Sequence, residues 1–199
     1  MRRHVSIAVA LAFFAGSINA GQAKSIMREA EFDGCHFKMK DTYGGELRVS
    51  RYAPPKLAFY STQPEFRKRH SVEVVIRFRC QTTKGQEAYT NMGYSYEKNQ
   101  WRLIPDPNDP QNSANMKLYK LHGPKIEGVA STYDQTTGEP TERIRGLGFC
   151  LTDQKQILCG VAQSVGLVAY PKESSLPQVL KLLESIEFIE PSQPTPATP

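Results

Sequence analysis

The chain is distinguished first by the motifs that it does not contain. Its 199 residues include no Cys-x-x-Cys pair, no His-Glu-x-x-His helix and no other pattern typical of a catalytic or cofactor site. It has no internal repeat, and no apolar run reaches the 18 residues that indicate a transmembrane helix. The sequence therefore predicts no cofactor, no metal site and no membrane span.

A strong charge of either sign is also missing. The chain carries 25 Lys and Arg against 20 Asp and Glu. Arg2 and Arg3 belong to the N-terminal segment 1–23, so the 176 residues that follow have a net charge of +3. Nucleic-acid-binding domains concentrate more positive charge than this, so no nucleic acid partner is predicted. A chain of this length is the size of one domain.

The N-terminal segment has the composition of an export signal. Arg2, Arg3 and His4 precede twelve mostly apolar residues, 5–16, and small residues follow up to Ala20 or Ala23. Twelve residues span about 18 Å as a helix, which is too short for a bilayer core of about 30 Å. We expect residues 1–23 to be a secretory signal peptide and the mature protein to be periplasmic or secreted.

Four cysteines follow this segment, and an even number in an exported protein predicts two disulfides. If Gln154 and Lys155 form a two-residue turn, Cys150 and Cys159 face each other on adjacent strands at a non-hydrogen-bonded position, where a disulfide fits. Cys35 and Cys80 then pair with each other. The alternative is a zinc ion held by four thiolates, but the spacing of the cysteines and the oxidising compartment disfavour it.

The fold class follows from two local patterns. Residues 72–80 alternate between apolar and charged side chains, apart from Val75, which predicts a half-buried antiparallel strand. Residues 176–186 place apolar side chains at spacings of three and four after Ser175, with Pro177 in the first turn, which predicts an amphipathic helix. We expect one α+β domain over residues 24–190: a twisted antiparallel sheet of about eight strands with this C-terminal helix packed on it. A closed or half-closed barrel is the main alternative.

Other segments give weaker signals. Residues 36–39 and 46–52, joined by a turn with two glycines, predict a hairpin. Residues 56–70 lack a clean period and predict a loop or a short helix. Residues 88–96 predict an aromatic strand, and residues 105–113, with three prolines, predict a loop. The Pro-rich tail, residues 191–199, is predicted to be disordered.

The candidate catalytic groups are isolated in the sequence. His36, His70 and His122 lack partners at helical spacing, so each is interpreted as structural. The segment around Ser95 begins like a nucleophile elbow, but the second glycine of that motif is missing. Asp106, Asn108 and Asp109 resemble part of a calcium loop, yet neither the central glycine nor the terminal glutamate is present. No catalytic residue is therefore predicted.

The remaining functional signal is a set of basic residues followed by aromatic ones. Arg67, Lys68 and Arg69 form a basic run, and Arg77 and Arg79 share the polar face of the strand 72–80. Tyrosines and Trp101 follow on the next strands. A solvated face is the simpler interpretation, but arginine and aromatic side chains together are typical of binding surfaces. The predicted partner-binding residues are Arg67, Lys68, Arg69, Arg77, Arg79 and Trp101.

These observations favour an exported, non-enzymatic binding protein of the bacterial envelope. Its partner is predicted to be another protein, which it binds as an inhibitor or an immunity-type protein. Two alternatives remain open. A small secreted hydrolase requires two of the histidines within hydrogen-bond reach of Ser95 or a carboxylate, whereas a small-ligand carrier requires a large apolar cavity. The oligomeric state is not predicted.

Overall fold

The computed structural model describes residues 25–52, 55–62, 69–82, 85–108 and 110–190. The predicted signal peptide 1–23 and the predicted tail 191–199 lie outside the described residues, as do Arg67, Lys68 and Asp109. Within the described residues, no helix has both the length and the apolar content to cross a bilayer.

The described residues form a mostly β structure with three short α-helices and one 3-10 turn. In chain order, the elements are β1 (Ile26–Phe32), β2 (Cys35–Asp41), β3 (Glu46–Val49), β4 (Ala58–Thr62), β5 (Val74–Cys80), α1 (Gln86–Thr90), β6 (Tyr94–Glu97), β7 (Gln100–Leu103), α2 (Pro110–Asn115), β8 (Lys117–Gly123), β9 (Ile126–Asp134), β10 (Ile144–Thr152), β11 (Ile157–Leu167), the 3-10 turn (Pro171–Glu173), α3 (Leu176–Glu184) and β12 (Glu187–Phe188).

The strands build one large antiparallel sheet and two small ones. The main sheet has the order β3-β4-β5-β11-β10-β9-β8, the second sheet has the order β1-β2-β12, and β6 pairs with β7 alone. The α+β class, the twisted antiparallel sheet and the C-terminal helix are confirmed. The predicted strand 72–80 is confirmed as β5, in which Val74, Ile76, Phe78 and Cys80 are buried and the arginines are exposed.

The hydrophobic core lies between the inner face of the main sheet, the second sheet and α3. Phe37, Phe78 and Phe149 are completely buried. The ring of Phe78 contacts Phe37 of the second sheet on one side and Phe149 of the main sheet on the other. Helix α3 adds Val179, Leu182 and Leu183, which repeat at the spacing of one helix face. Each such side chain contributes about 1.5–3 kcal/mol by burial, so this core fixes the inner face of the main sheet.

A second, smaller apolar cluster lies on the outer face of the main sheet. Residues 85–104, which contain α1 and the β6–β7 hairpin, fold over this face and are here called the flap. The flap buries Ala88, Tyr94 and Trp101 against Val129. The outer face is therefore covered over β9 and β10.

Both predicted disulfides are confirmed. Cys150 and Cys159 are paired residues of β10 and β11, with their Cα atoms 4.0 Å apart, and the predicted register of this hairpin is correct. The flap covers this disulfide, since both cysteines belong to the outer cluster and are fully buried. Cys35 and Cys80 join the second sheet to β5. Two disulfides are typical of proteins that fold outside the cytosol.

Four local predictions were wrong, and one of them is the predicted loop 105–113, whose last residues belong to α2. Residues 36–39 and 46–52 do not form a hairpin, because β2 pairs with β1 and β12 whereas β3 pairs with β4. Asp41 accepts a hydrogen bond from the Tyr43 N–H, and the turn that it closes carries the chain from one sheet to the other. The predicted loop 56–70 contains β4, and the predicted strand 88–96 begins as α1, where Thr90 bonds back to the Gln86 carbonyl.

Candidate protein-binding face

The strand register places arginine and apolar side chains in one row across the outer face. Arg48 pairs with Phe59, Phe59 with Arg77, and Arg77 with Val161, on four neighbouring strands. Val75 and Arg79 lie on either side of Arg77 along β5 and point to the same face. These six residues, Arg48, Phe59, Val75, Arg77, Arg79 and Val161, are here called the arginine face.

The two arginines of β5 carry the open positive charge of this face. Arg77 and Arg79 are exposed, and neither makes an ion pair with another residue in the described part of the chain. Arg48 differs, because its guanidinium contacts the Glu46 carboxylate. Glu73 is also exposed and lies next to the start of β5. The positive charge is therefore concentrated toward the end of β5 at Arg79.

Apolar side chains lie between the charges. Phe59 is 36% exposed on β4, next to the edge strand β3. Val75 and Val161 are half-buried, so part of each side chain is accessible to solvent. Exposed arginine next to partly exposed aromatic and aliphatic groups is the composition found at the centre of protein interfaces.

Tyr133 on β9 borders the arginine face on the side of β10. Its ring lies flat over Gly146, where a Cβ atom would overlap the phenol. Burial raises the pKa of Tyr133, and the positive charge of Arg77 nearby opposes that shift. The phenol is therefore close enough to Arg77 to interact with it electrostatically.

A groove continues the face beyond the edge strand β3. It follows residues 48–52 and returns to Phe59; its lining residues are Glu46, Arg48, Val49, Ser50, Arg51, Tyr52 and Phe59. Tyr52 is 85% exposed. The surface available to a partner therefore extends from Arg79 across β4 to the groove.

The flap forms the opposite boundary. The Tyr94 hydroxyl lies 2.9 Å from the Ser131 Oγ, and the same hydroxyl lies above Gly148. Burial raises the pKa of Tyr94 to about 12. The outer face is thus divided into a half covered by the flap and an open half that carries the arginines.

The structure separates the residues that the sequence grouped as a partner-binding set. Arg77 and Arg79 lie together on the open face, and Arg69 is exposed in the turn before β5. Trp101 is only 9% exposed, and its indole contacts the rings of Tyr89 and Tyr96 inside the flap. Trp101 therefore packs inside the flap and does not belong to the arginine face.

A buried carboxylate fixes the strands at the edge of the face. Asp41 is 1% exposed and accepts hydrogen bonds from the Tyr60 hydroxyl at 2.8 Å, the Tyr43 N–H at 2.8 Å and the Arg28 Nε at 3.2 Å. Tyr60 belongs to β4, next to Phe59. The network joins β1, β2 and β4, so it holds the strand that carries Phe59.

Two histidines contact carboxylates: His36 lies beside Glu29 and Glu31, and His70 lies beside Glu173. The His36 Nε2 lies 2.7 Å from the Glu29 Oε1 on the surface of the second sheet. The His70 ring stacks on Tyr170 with centroids 3.6 Å apart, and its Nδ1 lies 3.2 Å from the Glu173 Oε1. His122 is exposed on β8. The contacts of His36 and His70 are separate, and those of His70 attach the turn before β5 to the 3-10 turn.

The other sequence candidates are also found in local contacts. Ser95 is a half-buried residue of β6 that pairs with Arg102. The Asp106 carboxylate accepts the Asn108 N–H at 2.8 Å, which closes a turn. Among the described residues, no three His, Cys, Asp or Glu side chains are arranged to hold a metal ion.

Comparison of the chain with protein-family models, with characterised proteins and with solved structures finds no match.

Proposed function

We propose that this protein is an exported, non-enzymatic binding protein of the bacterial envelope, and that it binds another protein through the arginine face. Its role is that of an inhibitor or an immunity-type protein, and it acts in the periplasm or after secretion. The observation that carries the proposal is the exposure of Arg77 and Arg79, without ion-pair partners in the described residues, on the open half of a sheet whose other half is covered.

Rigidity of the surface supports the same role. One disulfide joins β10 to β11, and the other joins β5 to the second sheet, so three strands at or beside the face each carry a covalent cross-link. A surface that is held in place before binding loses less conformational entropy when the partner arrives. Tight neutralisation of a partner benefits from this, because an inhibitor has no chemical step and acts by binding alone.

The experiment is a capture assay with paired variants of the mature protein. Tagged wild type, R77E/R79E and K117E/K125E are incubated with native envelope extract and with culture medium, and retained proteins are identified by mass spectrometry. Lys117 and Lys125 are exposed on or beside β8, so this control changes the net charge equally at a distant position. Circular dichroism verifies that all three proteins are folded.

The proposal expects one partner that wild type and K117E/K125E retain in stoichiometric amount and that R77E/R79E loses. The fraction in which that partner is found separates a periplasmic from an external role. A partner retained equally by R77E/R79E, or the absence of any partner, would overturn the proposed role of the face.

A further inference from the structure

The chemistry of the partner can be argued from the spacing of side chains along β5. We propose that the partner presents an extended segment with two acidic residues and one apolar residue at alternate positions, in which the carboxylates bind Arg79 and Arg77 and the apolar side chain contacts Val75. This inference rests on the proposed function and specifies the partner of the same face.

Strand geometry sets the distances between the side chains of β5. Val75, Arg77 and Arg79 are every second residue of β5 and share one face, so their Cα atoms follow each other at about 6.6–6.8 Å. An extended segment has the same repeat. A partner strand that lies along β5 therefore matches all three positions at once with every second side chain.

The guanidinium groups of Arg77 and Arg79 have no carboxylate partner among the described residues. An arginine without an acidic neighbour can form a bidentate pair with a carboxylate, and such pairs are among the strongest hydrogen-bonded contacts in proteins. Glu46 already contacts Arg48, so that arginine contributes less open charge. Arg77 and Arg79 make no ion pair with another described residue, and they correspond to two carboxylates of the partner.

The apolar neighbours favour a protein segment over a polyanion. Phe59 and Val161 lie on either side of Arg77 in the cross-strand row, where side chains of a partner strand would contact them. Anionic membranes attract clusters of about four to eight Lys and Arg, and the arginine face offers two that have no ion pair within the described residues. A sulfated polysaccharide would leave the apolar groups without a contact.

A displayed peptide library tests this chemistry directly and does not require the native partner. Random dodecapeptides on phage are selected in parallel against the folded mature protein, against R77A/R79A and against K117A/K125A. Selected peptides are then synthesised, and their affinities are measured by fluorescence anisotropy at physiological ionic strength. Heparin and vesicles that contain phosphatidylglycerol are tested as binders of the same three proteins.

The proposal expects wild type and K117A/K125A to enrich peptides with two acidic residues and one apolar residue at alternate positions. These peptides should bind R77A/R79A at least about tenfold more weakly, because two charged contacts are lost. Enrichment of neutral or basic peptides would overturn the inference. Binding of heparin or vesicles that R77A/R79A abolishes, with no acidic peptide selected, would overturn it as well.

The outcomes separate this inference from the proposed function. Suppose that a native partner is captured through the arginine face and that this partner has no acidic segment at the contact. This result contradicts the inference but agrees with the proposed function. Acidic peptides that require Arg77 and Arg79, with no native partner captured, support the chemistry of the surface and contradict the function.

Discussion

Replacement of two buried tyrosines by phenylalanine tests how the edge of the arginine face is held. Tyr60 and Tyr94 are both almost completely inaccessible, at 0% and 1% exposure, and each hydroxyl has a buried partner. The partners differ in charge: Tyr60 donates to the Asp41 carboxylate at 2.8 Å, whereas Tyr94 is 2.9 Å from the neutral Ser131 hydroxyl. Tyr60→Phe and Tyr94→Phe therefore form a matched pair.

The expected magnitudes follow from the type of hydrogen bond. A bond to a charged group contributes about 1.5–3 kcal/mol and a neutral bond about 0.5–1.5 kcal/mol. Asp41 remains buried in the Tyr60→Phe variant and keeps the Tyr43 N–H and Arg28 as donors, which limits the loss. We expect Tyr60→Phe to lower the free energy of unfolding by about 2 kcal/mol and Tyr94→Phe by about 1 kcal/mol.

The assay is urea unfolding at neutral pH without reductant, followed by circular dichroism, with the slope of the transition compared among the three proteins. An unchanged slope means that the midpoints report stability directly. A loss for Tyr94→Phe that equals or exceeds the loss for Tyr60→Phe would refute the assignment of Asp41 as a charged, buried junction.

Three further predictions concern the flap and the turn between β10 and β11. Burial raises the pKa of Tyr94 to about 12, above the value of about 10 expected in the unfolded chain, so its contribution to stability is complete below pH 10 and is lost as the pH rises toward 12. Across this range, the free energy of unfolding should fall less steeply in Tyr94→Phe than in wild type, by up to about 1.4 kcal/mol per pH unit. Parallel losses in the two proteins would contradict this. Gln156→Ala should cost about 2 kcal/mol, since its buried amide bonds backbone groups of β2 and of the segment after β12. Lys155→Ala removes only an exposed ion pair and should leave the urea midpoint close to that of wild type; equal midpoints for the two variants would exclude this role of Gln156. Trp101→Ala should speed reduction of the disulfide beneath the flap, measured by thiol trapping and mass spectrometry, and an unchanged rate would show that the flap does not protect it.

Much of the fold was predictable because its signals are local. The alternation in residues 74–80 identifies β5, the spacing of Val179, Leu182 and Leu183 identifies α3, and the two-residue turn sets the register of the Cys150–Cys159 hairpin. Each of these patterns is complete within about ten residues of the chain. The second disulfide then followed by elimination.

The composition of the arginine face was less predictable because it depends on strand order. Phe59 and Val161 become neighbours of Arg77 only when β4 and β11 pair with β5 on its two sides, and β11 is far along the chain. The segment of β4 gives no clean period, since it has a single alternation of buried Ala58, exposed Phe59 and buried Tyr60. Arg77 and Arg79 were found from the sequence because they share one strand.

The flap shows the opposite error, in which composition suggested exposure. Residues 88–96 predicted an aromatic strand, and Trp101 was predicted to contact the partner. Gln86, Glu87 and Ala88 instead begin a helical turn, and the rings close over the outer cluster. Residue type alone did not distinguish a binding surface from a small core, because aromatic side chains serve both.

The most direct test of the account is photo-crosslinking from the arginine face. p-Benzoylphenylalanine is introduced at Phe59 and, as a control, at Ile104 at the end of the flap, which is exposed to a similar extent, 40% against 36%. The account predicts that irradiation in native envelope extract joins one protein to the variant at Phe59, that added R77E/R79E mutations abolish this adduct, and that the variant at Ile104 forms none. An adduct from Ile104 alone, or one from Phe59 that persists without the two arginines, would contradict the claim that this face binds the partner.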